Sequence, residues 1–150
     1  MPATKTVSRK KEASKVFSAA ERDAMVSRAK EVKSERAGAD ADGEREVLEK
    51  IKTMLPADRA LAQRFHAIVK STVPNLTPRT YYGMPAYARD GKVVFWFKDA
   101  GKFKTRYATI GFSDAARLDD GEMWPTEYSV LRLTPAVEAK IGVLIKRAAG

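Results

Sequence analysis

Apolar residues recur along this chain with two periods, and the change from one to the other predicts the architecture. Val47, Leu48, Ile51 and Leu55 fall at i, i+1, i+4 and i+8, one face of a helix. Pro56 stops that run and opens another, in which Leu61, Phe65, Ile68 and Val69 share a face until Pro74, Asn75 and Pro78 close it. Further on the period falls to two. Asp90-Gly91 is a two-residue hairpin pair, because both central positions of a type I′ turn need positive φ, so Tyr87-Ala88-Arg89 is expected to pair with Lys92-Val93-Val94. Along the second strand Val93, Phe95 and Phe97 point one way, Val94 and Trp96 the other.

The remaining elements follow the same logic. After a turn over residues 98–102, a strand is expected over Thr105 to Phe112, with Tyr107 and Thr109 on one side and Ala108, Ile110 and Phe112 on the other. A last strand is expected from Tyr128 to Leu133. Thr134-Pro135 then caps a closing helix whose stripe of Val137, Ile141, Leu144, Ile145 and Ala148 is the clearest helical face in the chain. Helices first, an antiparallel sheet in the middle and a helix last predict an α+β fold, the sheet packed against an N-terminal helix pair and a C-terminal helix.

The first third reads differently. Residues 1–16 carry Lys5, Arg9, Lys10, Lys11 and Lys15 against Glu12 and few large apolar side chains, which predicts a disordered basic tail. Ser18 and Glu21 form a capping-box pair for a helix running to about Arg36. Its stripe of Met25, Ala29 and Val32 is thin, so the helix is expected to lie on the surface of something else. The "GADADG" run makes residues 37–43 the linker, leaving three regions: the tail 1–16, the helix with its linker 17–43, and an α+β domain 44–150.

Composition narrows the chemistry. The net charge of +9 is partly concentrated in the tail, which without interleaved aromatics supplies no base recognition, so no specific nucleic-acid partner is expected. No apolar run reaches the roughly 18 residues of a membrane helix, and the basic N-terminus lacks an apolar h-region, which predicts a cytoplasmic protein with no membrane partner. Cysteine is absent, which excludes disulfides, thiolate nucleophiles and zinc–cysteine sites. A single histidine, His66, beside Phe65 on a helical face, reads as a packing or surface residue. With no phosphate-cradling glycine loop and no base beside a nucleophile, an enzyme is not expected, and no cofactor is implied.

One stretch carries candidate chemistry, "YYGMPAY" at residues 81–87. Gly83 and Pro85 bend a backbone, and the tyrosines gather rings with polar tips. Two readings stand: a kinked strand whose rings fill the core, or an amphipathic pocket in which Tyr81, Tyr82, Met84 and Tyr87 join Trp96, Tyr107 and Trp124 to bind a ligand. The second makes the protein a non-catalytic binding module for a small molecule or a protein, as a monomer or homodimer.

"YYGMPAYARDGKVVFWF", the strand ending "ATIGF" and the unit "YSVLRLTPAVEAKIGVLIKRA" together resemble the YdhG-like family of small bacterial domains, over roughly Glu44 to Gly150. The resemblance implies a compact antiparallel sheet packed on helices and no established reaction. Some relatives carry a frataxin-like iron-chaperone label. Relatives often place a histidine ahead of the Ile-Gly-Phe strand, where this chain has Arg106-Tyr107-Ala108-Thr109. Iron handling here would rest on carboxylates alone, from Asp114, Asp119, Asp120 and Glu122, whose oxygens suit hard ions.

Overall fold

In the computed structural model, residues 18–36 and 42–150 are described, with the side chains of residues 32–36 left aside. The expected basic tail and most of the expected linker lie outside the described residues. Among the described residues five helices accompany five strands: α1 Ala19–Arg36, α2 Gly43–Lys52, α3 Pro56–Thr72, β1 Thr77–Tyr81, β2 Met84–Arg89, β3 Lys92–Lys98, α4 Ala100–Phe103, β4 Ala108–Phe112, β5 Glu127–Val130 and α5 Pro135–Ala149. The strands form one antiparallel sheet in the order β1-β2-β3-β4-β5. With helices before and after it, the fold is α+β. Among the described residues no helix is long and apolar enough to cross a membrane.

The helices start where the sequence places their caps. Ser18 Oγ accepts the Glu21 amide at 3.1 Å at the head of α1, and Thr134 Oγ1 accepts the Val137 amide at 3.2 Å at the head of α5. Pro56 stands in the first turn of α3, where its missing N–H costs no hydrogen bond. Most of the predicted faces of α3 and α5 are buried, Phe65, Ile68 and Val69 on one and Ile141 and Ile145 on the other, whereas on α2 only Val47 and Ile51 are buried: Leu48 is exposed, and Leu55 is exposed beyond the end of the helix. The buried side chains close on the inner face of the sheet. Phe65 sits at the centre, its ring 5.8 Å from Tyr87 and 5.9 Å from Phe95 in edge-on contacts. Each such pair contributes about 0.5–1.5 kcal/mol beyond the area it buries.

Several local expectations change. Residues 77–81, expected to lie past the end of a helix, form the edge strand β1, where Pro78 is tolerated because an edge strand has one unpaired side. Along β3, Val94 was expected on the Trp96 side but lies in the core with Phe95 and Phe97. The cause is a bulge: Tyr87 pairs with Phe95 and Ala88 with Val93, so Val94 is the extra residue. The turn after β3 winds into α4, and β5 ends at Val130, leaving Leu131 61% exposed. Of the stripe expected on α1, Val32 lies outside the described side chains and the other two do not dock. Met25 and Ala29 are exposed, whereas Ala24 and Glu31 are buried.

Two carboxylates fasten the periphery through backbone amides. Asp58, buried near the start of α3, accepts the amides of Ala100 at 3.2 Å and Gly101 at 2.8 Å and so fixes the head of α4. Glu31 does the same for the β1–β2 turn. At the far end, Arg89 donates to the carbonyls of Ala149 and Ala115, tying β2 to the last turn of α5.

Candidate functional site

The stretch at residues 81–87 is a second tight hairpin. Tyr81 pairs with Met84, and Tyr82 and Gly83 between them have φ of +51° and +76°, the two positive values of a type I′ turn. Asp90 and Gly91 repeat the geometry between β2 and β3, with φ of +51° and +80°. Pro85 fits in β2 because the ladder to β3 begins only at Ala86. The expected kink is therefore a chain reversal, followed by a regular strand.

Alternation along these strands then sorts the aromatic residues onto two faces. Ala86 pairs with Trp96, Trp96 with Gly111 and Gly111 with Glu127, a row across the face opposite the core. On that face Tyr81 and Tyr82 meet edge-on at 4.7 Å, and Tyr81 lies 5.7 Å from Trp96. The Arg28 guanidinium of α1 covers both tyrosines, 4.9 Å from one ring and 5.6 Å from the other. Between α1 and this face runs an open groove of about 530 Å³. Tyr81, Tyr82, Met84, Trp96 and Phe103 supply its rings and apolar floor, and Lys98, Glu21 and Glu127 its charges.

Of the seven ligand-binding candidates, the groove unites Tyr81, Tyr82, Met84 and Trp96 and leaves out three. Tyr87 points to the inner face and is fully buried. Tyr107 lies ahead of β4 with the Arg106 guanidinium 5.2 Å from its ring. Trp124 lies half-buried in the β4–β5 loop, beside a shallow depression whose rim includes Asp114, Asp119 and Glu122 but not Asp120. Among the described residues no group of three or more His, Asp or Glu side chains could hold a metal ion.

Two functional-looking arrangements went unread in the sequence. His66 bridges the Tyr87 hydroxyl, 2.8 Å from Nδ1, and a Glu44 carboxylate oxygen, 3.1 Å from Nε2. With Glu44 ionised, Nε2–H donates to it, so in the neutral ring Nδ1 accepts the Tyr87 hydroxyl. The His66 bond holds the Glu44 carboxyl below its ordinary value, with Lys70 adding to the effect. Burial pushes the Tyr87 phenol up, and the Glu44 charge pushes the same way. The network satisfies the buried His66 and Tyr87 polar groups. Only the separation of 22 residues between Glu44 and His66, on consecutive predicted helices, hinted at it.

The other arrangement is the Glu31 contact. Its oxygens accept the amides of Tyr82 at 2.7 Å and Gly83 at 2.9 Å. Burial raises the Glu31 carboxyl above its ordinary value, against the lowering pull of these amides and the Thr80 hydroxyl. Nothing in a helical glutamate 51 residues upstream signals such a pairing.

Compared with known protein families, curated proteins and solved structures, the chain matches none.

Proposed function

We propose that this domain is a non-catalytic binding module of YdhG-like type, active in the cytoplasm, whose ligand lies in the groove between α1 and the outer face of the sheet. The observation that carries the reading is the row of Tyr82, Tyr81 and Trp96, spaced 4.7 and 5.7 Å and open to the groove. A rigid sheet presents these rings, and their hydroxyl and indole N–H tips can orient what stacks on them. Catalysis has little to work with there. The sole histidine is committed to Glu44 and Tyr87 on the opposite side of the sheet.

Indole, a flat neutral probe, tests the proposal. On titration it should give saturable shifts at the Trp96 indole N–H and the Tyr82 amide. Tyr82→Asn should weaken binding at least five-fold while the protein melts as the parent does, since Asn accepts the left-handed φ at that position. Shifts spread over the surface without saturation would defeat the proposal.

A further inference from the structure

Two amides of one turn point at the same place, and a carboxylate already occupies it. Consecutive left-handed residues, here Tyr82 and Gly83, form part of a concave donor surface of the kind that backbone anion sites use. Both Glu31 oxygens are engaged there, at 2.7 and 2.9 Å, and the Thr80 hydroxyl bonds the same carboxylate. The Lys102 ammonium stands 2.8 Å from the position a Cβ on Gly83 would take. The rings of the groove begin at Tyr82 itself.

The occupant belongs to a helix with little apolar hold. Among the described side chains of α1 only Ala24 and Glu31 are buried, while Met25 and Val26 are 45% and 56% exposed. Its other ties include an ion pair between Asp23 and Lys102 at 3.0 Å, with Asp23 largely in solvent, and the Arg28 contact over the tyrosines. Exposed pairs of this kind hold weakly. Glu31 is the one buried polar side chain among those described in α1.

We infer that the Tyr82–Gly83 amide pair is a carboxylate-recognition site closed in cis by Glu31, and that the groove's ligand is a small aromatic carboxylate that displaces Glu31 and loosens α1. This rests on the groove reading above and names the class of its ligand. The carboxylate takes the two amides beside Lys102, and the ring takes the place of the Arg28 guanidinium against Tyr82. The two amides and the adjacent Lys102 ammonium, which also pairs with Asp23, favour a carboxylate at the turn, while the groove beyond carries Lys98 against Glu21 and Glu127. A tethered Glu31 competes at an effective concentration of millimolar order or higher, so a free carboxylate gains the site by adding the stacking that Glu31 lacks.

The test uses the full chain, as parent and as Glu31→Ala, followed by the amide signals of Tyr82 and Gly83. In Glu31→Ala both amide protons should move upfield. Sodium acetate should return them downfield, while sodium chloride at the same ionic strength does not, and the parent should not respond. Indole-3-acetate should bind Glu31→Ala at least ten-fold tighter than the parent, with indole changing less than two-fold. If Glu31→Ala does not fold, Glu31→Gln, which removes the charge at nearly constant volume, is read in the same way.

Amides of Glu31→Ala that ignore acetate, or indole-3-acetate that binds parent and variant alike, overturn the inference. Indole binding at Trp96 without an acetate response sinks the amide site and leaves the groove reading. An acetate response without indole binding sinks the groove reading and the aromatic half of this inference. A Gly-Gly-Trp peptide binding ten-fold tighter than indole-3-acetate would move the carboxylate to a peptide terminus and overturn the small-molecule assignment.

Discussion

The indole of Trp96 fills the space that a side chain on Gly111 would need: a Cβ there would stand 2.4 Å from Cε2 and Cζ2 of the ring. The two residues are paired across β3 and β4, so the glycine is what lets the ring lie down on the sheet and form the groove wall. Gly111→Ala is expected to destabilise the protein by about 1–3 kcal/mol, the scale of overpacking. Urea unfolding reads the loss, and the Trp96 indole N–H signal should shift as the ring is pushed outward. An unmoved ring in a fully stable variant would contradict the packing described.

The β1–β2 turn gives two substitutions of opposite effect. Gly83→Val puts a β-branched residue at a φ of +76° with its Cβ 2.8 Å from Lys102 Nζ, and should cost about 1–3 kcal/mol. Tyr82→Asn creates an Asn-Gly pair, the preferred type I′ sequence, and should leave stability equal to or above the parent's. Chemical denaturation of both variants checks the pair of signs. A Gly83→Val protein as stable as the parent would rule out the turn.

Removing the Tyr87 hydroxyl should be costly even though the ring remains. Tyr87→Phe leaves His66 Nδ1 buried without its partner, for an expected loss of about 1–3 kcal/mol. Replacing both residues, as His66→Leu with Tyr87→Phe, should cost less than the sum of the single changes. A double-mutant cycle with no coupling would mean that the 2.8 Å contact carries no energy.

Glu31 sets a direction for pH. Its carboxyl is raised above the ordinary value of 4.5, mainly by burial, so the folded protein holds that proton more tightly than the unfolded chain. Its contribution is fully present below 4.5 and is lost as pH rises through the folded value. Relative to Glu31→Gln, the parent should lose stability as pH rises through that window. Thermal melts of the two proteins at stepped pH measure the difference, and parallel curves would remove Glu31 from the balance.

Legibility in the sequence followed the range of the interactions. The faces of α3 and α5, the caps of α1 and α5 and the Asp90-Gly91 hairpin rest on residues a few positions apart, and periodicity or turn chemistry reveals them. The Tyr82-Gly83 hairpin escaped because a tyrosine at a left-handed position is no turn signal, although the following glycine is. Val94 escaped because a bulge shifts the alternation on which face assignment depends. Within the groove, Tyr81, Tyr82, Met84 and Trp96 were readable as one cluster. Tyr87 was not separable from them, because facing depends on strand parity and a hairpin reversal lay between. Partners contributed from a distant helix, Arg28 and Glu31, left no local trace.

Strand order equal to chain order has a consequence for synthesis. Each strand pairs with the one made just before it, so the sheet can be extended in step with translation and needs no distant segment to find its neighbour. The helix α5 is made only after the whole sheet, and its Ile141 and Ile145 face Ile110, Phe112 and Val130 across a small cavity. Until it arrives, that end of the inner face stays bare. A nascent chain stalled after β5 would present a sticky apolar surface beside an unpaired strand edge, the combination that chaperones bind.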